Sequence, residues 1–278
     1  MVFKPRGGIW GGIVGLLLGG VGFGLAIWAV NFSLVAPDEQ TLRWFLLVPA
    51  YGLAGFFVYL LLGAFNLRYR AGDDGLSIRW ATRRITVPWN QVRRVVRVTG
   101  RKNLGALTGM SWPGYIVGTY TLRGVALVKM YGTQPKGEVV VVETDRGNFG
   151  LTPADADRFV IEVLRRSGAE LEEVNADEMP EEVRGKILGE DIIYMGLYAL
   201  NLVLLLGVIA YQAVFFPGSG ASRIYVLFIA LGMGVLAFNI GNASRVYQFM
   251  PSAAYLVWIL SFFVMATFLV FSIYGIAP

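Results

Sequence analysis

The 278-residue sequence contains no cysteine and no histidine. Disulfide frameworks, thiol nucleophiles, Cys/His zinc sites, haem-ligating histidines and imidazole acid–base catalysis are thereby excluded, and most common enzyme chemistries go with them. The lack of cysteine is compatible with any redox compartment. Charge is also scarce: Asp, Glu, Lys and Arg make up 15% of the chain, against about 25% in an ordinary soluble domain. Hydrophobic residues reach 55% and mean hydropathy is +0.57, which excludes a disordered or purely cytosolic chain. The 35 glycines follow no triplet period, and in so apolar a chain they fit close packing of membrane helices.

Charge-free runs occupy 7–37, 44–67, 192–222, 224–244 and 246–278. Each can hold the roughly 20 apolar residues that cross a hydrocarbon core of about 30 Å. Five spans are expected, at 9–30, 44–65, 192–216, 224–240 and 253–276, the fourth being the shortest. The cluster Phe216-Pro217-Gly218-Ser219-Gly220 separates the third from the fourth. A cleaved signal peptide is the rival reading of the first run. Lys4 and Arg6 suit it, but the run is longer than the usual apolar region and lacks a clear cleavage site. Lys4, Arg6, Arg68, Arg70 and Arg245 fall on one side of the five-span arrangement and only Arg43 and Arg223 on the other. The N-terminus and residues 67–191 are therefore expected in the cytoplasm and the C-terminus outside.

Between the second and third spans the charge is divided. Residues 67–136 hold 13 Lys or Arg against Asp73 and Asp74, a balance of +11, whereas residues 137–191 hold 6 against 15 Asp or Glu, a balance of −9. A basic stretch directly after a span suits anionic headgroups, at roughly 1 kcal/mol per basic residue near the surface.

Strand-like runs at 67–71, 76–80 and 85–89 are punctuated by Gly72-Asp73-Asp74-Gly75 and Ala81-Thr82-Arg83-Arg84, with Leu76, Ile78 and Trp80 alternating against Ser77 and Arg79. Residues 92–98 read as a helical turn passing into a strand, 100–118 as a glycine-rich loop, and 124–133, 138–144 and 148–151 as the end of an antiparallel meander. Serial hairpins of this kind favour a small barrel or sandwich. One amphipathic helix follows, with Thr152 as N-cap, Pro153 in the first helical position, Ala156, Phe159, Val160, Val163 and Leu164 as its apolar stripe, and Gly168 as its stop.

The Asp74-Gly75-Leu76-Ser77-Ile78 run, the Ile85-Thr86-Val87-Pro88-Trp89-Asn90-Gln91-Val92 step, the Gly114/Gly118/Gly124 spacing and Leu151-Thr152-Pro153-Ala154-Asp155 resemble the bacterial PH domain family of membrane proteins. The resemblance covers 67–168. It implies a pleckstrin-homology-like fold in a prokaryotic membrane protein, and it implies no reaction and no particular binding residue. The expected architecture is a five-span α-helical membrane protein with an inserted cytoplasmic PH-like barrel or sandwich closed by one helix. Its parts are a helical pair at 1–66, the domain at 67–168, an acidic connector at 169–191 and a helical trio at 192–278.

Arg83-Arg84, the run Arg93, Arg94 and Arg97, and Arg101-Lys102 are candidates for a face that binds headgroups or an acidic partner; the alternative is a solvated strand edge that resists aggregation. Asp73-Asp74, flanked by glycines, reads as a turn rather than as paired catalytic carboxylates. Gly11, Gly15 and Gly19 form a small-xxx-small pattern that packs helices within one chain or between copies. Asn201, Gln212, Asn239 and Asn242 read as interhelical hydrogen-bonding groups or as a substrate path. Tyrosines apart, the charge-free spans hold no ionisable group, which argues against proton-coupled transport and intramembrane acid–base catalysis.

No cofactor and no metal is expected, and without a recognised motif no nucleic acid partner. The partners expected are the bilayer, anionic headgroups, and a protein partner or a second copy. Three functions remain open: a membrane-anchored interaction, scaffold or sensory protein, which the residues favour; a transporter or channel subunit; and a membrane enzyme.

Overall fold

Strand β1 (Val2–Phe3) leads into helices α1 (Trp10–Ser33) and α2 (Gln40–Asn66). Strands β2 (Arg68–Ala71), β3 (Leu76–Trp80), β4 (Arg83–Val87), β5 (Val92–Thr99), β6 (Leu104–Ala106), β7 (Met110–Trp112), β8 (Tyr115–Leu122), β9 (Ala126–Gly132), β10 (Val139–Thr144) and β11 (Gly147–Leu151) follow. After them come α3 (Ala156–Ser167), β12 (Glu170–Asn175), α4 (Glu181–Arg184), α5 (Ile192–Phe215), α6 (Arg223–Tyr247) and α7 (Pro251–Tyr274). The computed structural model describes residues 1–133, 137–216 and 223–274. Lys136, the Pro217-to-Gly220 part of the expected turn, the expected end of the last span at Ile276 and the C-terminus lie outside the described residues.

Among the described residues, α1, α2, α5, α6 and α7 are long and apolar enough to cross a membrane, as a multi-pass membrane protein requires. The fourth span is longer than its apolar core indicates. Helix α6 runs on to Tyr247, and α2 begins ahead of its charge-free run, so Arg245 and Arg43 both lie inside helices.

Two compact units divide the chain, Met1–Leu18 with Phe56–Lys186 and Gly19–Gly55 with Ile187–Pro278. The first holds both sheets. The smaller has the order β1-β2-β3-β4, all antiparallel. Its strands alternate: Tyr69, Ala71, Ile78, Trp80 and Val87 are buried, while Arg68, Arg70, Arg79 and Arg84 are exposed. The buried face joins Val95, Val140, Val142, Phe149 and Leu151 of the larger sheet, and Phe159, Val160 and Val163 of α3, in one core.

The larger sheet has the order β12-β5-β10-β11-β9-β8-β6, with β7 on β8. Its second face gathers Val96, Val98, Ile116, Met130, Val139 and Val141, and both edge strands add to that cluster, β6 through Leu104 and Ala106 and β12 through Val174. A sheet whose two edges pack on one cluster is curled. The simple meander is corrected here: β11 pairs with β9 in parallel, and β12 pairs with β5 in parallel. Strand β12 occupies the start of the acidic segment that follows α3.

Two further corrections have local causes. Residues 100–118 are not merely a loop, since they contain β6, β7 and the start of β8. Gly118 has φ +113°, and a Cβ there would meet the Gly109 Cα at 2.5 Å, so these glycines allow backbone segments to approach rather than end a strand. Helix α3 is capped by Asp155, whose Oδ1 accepts the Arg158 N–H at 3.0 Å. The Thr152 hydroxyl instead accepts the Thr133 N–H at 2.9 Å, and Pro153 forms a bridge with Pro5.

In the second unit, Tyr194, Leu205, Leu236, Trp258 and Met265 form the core of α5, α6 and α7, while Val30, Leu34 and Leu47 pack with Leu227. The Asn201 amide donates to the Trp258 carbonyl at 3.1 Å, an interhelical bond. Asp191 caps α5 through the Tyr194 N–H and also accepts the Tyr247 and Tyr255 hydroxyls at 2.7 and 2.6 Å.

Candidate functional site

Antiparallel register places three arginines in one row. Arg68 on β2 faces Arg79 on β3, and Arg79 faces Arg84 on β4. Arg70 faces Ser77 one pleat further along the same side. The turn between β3 and β4 is tight, with Ala81 at φ 48°, so β4 starts at Arg83 and both Arg83 and Arg84 lie on the strand. Together Arg68, Arg70, Ser77, Arg79, Ala81, Thr82, Arg83, Arg84 and Val2 line a concavity of about 440 Å³.

The lining contains no carboxylate, and among the described residues none of its five arginines makes an ion pair. The Arg84 Nε donates to Ser77 Oγ at 2.9 Å. Like charges directly opposite on neighbouring strands destabilise a sheet by roughly 0.2–1 kcal/mol a pair. Guanidinium groups present rigid forks of donors matched to phosphate and carboxylate oxygens. The concavity is thus a positively charged surface without a counter-charge of its own, with donor chemistry suited to an anion.

The end of α2 holds this surface in place. Asn66 Nδ2 donates to the Ala81 carbonyl at 2.7 Å, and the Tyr59 and Thr82 hydroxyls lie 3.0 Å apart. Gly63 leaves room for the Trp80 indole, whose N–H donates to the Tyr115 hydroxyl. Tyr59 stands seven residues before the end of α2, about 10 Å along the helix. A second contact comes from the β7–β8 turn: Trp112 Nε1 donates to the Gly11 carbonyl at 2.6 Å, and its ring lies 5.2 Å from that of Phe57. Both turns therefore reach beside apolar helical residues, and the arginines sit at the level where α2 ends. Beneath them, burial pushes the Tyr69 phenol up to about 12 and holds those of Tyr115 and Tyr131 above their ordinary value.

The seven basic residues singled out by sequence do not form one face. Arg83 and Arg84 line the concavity. Arg93, Arg94 and Arg97 lie on β5, between the acidic strand β12 and β10, which carries Glu143 and is flanked by Glu138 and Asp145. Arg93 pairs with Asp145, Arg94 with Glu143 at 3.0 Å and with Glu172, and Arg97 with Glu138, with Asp157 at 2.7 Å and with Glu173 at 3.7 Å. Arg101 and Lys102 follow β5; the Arg101 N–H donates to Asp177 and the Lys102 ammonium to the Gly100 carbonyl, with burial drawing the Lys102 pKa down.

Arg68, Arg70 and Arg79, not among those seven, complete the concavity. Their signal was the two-residue alternation with Tyr69, Ala71, Ile78 and Trp80 across a glycine-bounded turn. Of the glycine stripe, Gly11 packs on the Gly114 backbone, Gly15 on Leu61 and Trp112, and Gly19 is buried.

No curated protein and no solved structure matches the chain. A family model does match, over the segment that builds β2 to β11 and α3. Residues 67–167 fit the bacterial PH domain, so this chain carries a bacterial PH domain between its second and third long apolar helices.

Proposed function

We propose that this is a membrane-anchored interaction or sensory protein whose PH domain engages anionic headgroups of its own membrane through Arg68, Arg70, Arg79, Arg83 and Arg84. One observation carries the reading: five arginines without a carboxylate line a concavity beside the end of an apolar helix. Headgroup phosphates lie at that level of a bilayer, and each basic residue there gains roughly 1 kcal/mol from an anionic surface. PH domains are binding rather than catalytic modules, and the reading assigns the protein no reaction. The bacterial PH domain match supports a prokaryotic inner-membrane protein, and the distribution of Lys and Arg supports an N-terminus and PH domain in the cytoplasm and a C-terminus outside.

The test uses the full chain in phosphatidylcholine nanodiscs with and without phosphatidylglycerol. Amide hydrogen exchange in β2–β4 should slow with the anionic lipid. The protection should fade with salt, as the Debye length falls from about 10 Å at 0.1 M to about 3 Å at 1 M. It should be absent in the R68Q/R79Q/R84Q variant. Equal exchange in both discs would overturn the headgroup reading and favour a protein partner.

A further inference from the structure

The basic concavity does not end at Arg68. Arg68 and Val2 also line a second cavity of about 470 Å³, whose remaining wall includes Lys4, Ile9, Ala64 and Phe65. Ile9 immediately precedes α1, and Ala64 and Phe65 lie in the last turn of α2. Ile9 is 57% exposed and Phe65 41%, so large apolar groups remain open to the surroundings there. The two cavities share Val2 and Arg68 and so adjoin as the two halves of a groove, arginine-lined at the sheet end, apolar at the helix end, with Lys4 on its margin.

A soluble anion would use only half of such a groove, and an uncharged alkyl chain only the other half. A diffuse anionic surface would require no apolar wall at all. The occupant that matches both halves carries a phosphate and a hydrocarbon chain on one molecule. Each cavity is of a size that takes small ligands, within the range of roughly 300–1,000 Å³.

We propose that the groove holds one anionic phospholipid, with its phosphate among Arg68, Arg79 and Arg84 and the first methylenes of an acyl chain against Ile9 and Phe65. This rests on the headgroup reading above and adds to it a single, oriented lipid.

The experiment places the full chain in phosphatidylcholine nanodiscs containing traces of a phosphatidic acid with a photoreactive diazirine near the carbonyl end of its acyl chain. The expected result is cross-linking to residues 4–9 and 64–68, favoured roughly tenfold over a phosphatidylcholine carrying the same diazirine. The R79Q/R84Q variant should lower cross-linking to the phosphatidylcholine level. Ile9→Gln, at an exposed position, should weaken it while leaving salt-sensitive protection of β2–β4 intact. Free glycerol 3-phosphate should compete far less well than the chain-bearing lipid. If anionic preference survives but the adducts scatter over other helix faces, or if glycerol 3-phosphate competes equally, the single-lipid proposal fails and the headgroup reading stands. Loss of anionic preference altogether overturns both.

Discussion

Arg79 and Arg84 are register partners on adjacent antiparallel strands, both exposed, with Arg68 directly opposite Arg79 on the other side. A sheet selected for stability alone would place opposite charges or threonines in such a row. Arg79→Thr is therefore expected to stabilise the lipid-free protein in neutral detergent by about 0.5–1 kcal/mol, while reducing its response to anionic lipid. Thermal unfolding with and without phosphatidylglycerol reads both effects. A variant that lost stability in neutral detergent would show that the row serves the fold.

Gly11 and Gly20 occupy the same helix in different surroundings. A Cβ on Gly11 would overlap the Gly114 carbonyl, which is backbone and has no rotamer to change, whereas a Cβ on Gly20 meets nothing within 4 Å. Gly11→Ala should destabilise the protein by about 1–3 kcal/mol and raise hydrogen exchange in residues 112–115. Gly20→Ala should be neutral or stabilising by up to about 1 kcal/mol.

The Tyr69 hydroxyl donates to the Tyr131 carbonyl at 2.6 Å and accepts the Thr152 N–H at 3.3 Å. Burial, only partly opposed by the bonds to Thr152, raises its pKa from the ordinary 10.0 to about 12. The folded value lies above the unfolded one, so this contribution to stability is complete below pH 10 and is lost as pH rises towards 12. Stability should therefore fall over that window, and ultraviolet titration should find tyrosines that ionise only as the domain opens. Tyr69→Phe should flatten the alkaline slope and cost about 1–3 kcal/mol at neutral pH through the two unpaired backbone groups.

The absence of cysteine makes topology directly measurable. Asp38 lies between α1 and α2 and Asp74 in the β2–β3 turn, both exposed. Asp38→Cys should react with a membrane-impermeant thiol reagent in intact cells, and Asp74→Cys only after lysis. The reverse pattern would invert the orientation proposed for the chain.

The elements most legible in the sequence were those whose signal is local. Charge-free runs marked the five helices, Gly72 to Gly75 marked a hairpin, and the Phe159, Val160 and Val163 stripe marked the buried face of α3. Pairing was less legible, because it depends on partners far apart in the chain. Nothing near Glu170 announces a strand; β12 pairs in parallel with β5, its Glu172 and Glu173 beside Arg94 and Arg97 and its Val174 packed on the larger sheet's second-face cluster. The same pairing explains the basic residues: a run of arginines in sequence says nothing about which ones have found a carboxylate across a sheet. The start of Tyr115–Leu122 is hard to see in the sequence because Gly118 resembles loop punctuation, whereas that glycine serves close packing against Gly109.

Val2 pairs with Arg70, and Glu170 with Arg94. The compact unit that holds the PH domain is consequently stitched together from stretches made at different times during synthesis. When Val2 and Phe3 leave the ribosome their strand partner has not been translated, and two apolar helices must be laid into the bilayer before it arrives. Both outer ends of that helical hairpin must then stand on one side, or β1 could never reach β2. The last edge is closed later still, when β12 emerges and the ribosome has the third apolar helix in hand. Membrane insertion of α1 and α2 is thus a step in folding the domain, and an error in the first hairpin would leave Phe3 without the Phe159 ring it packs against at 5.2 Å.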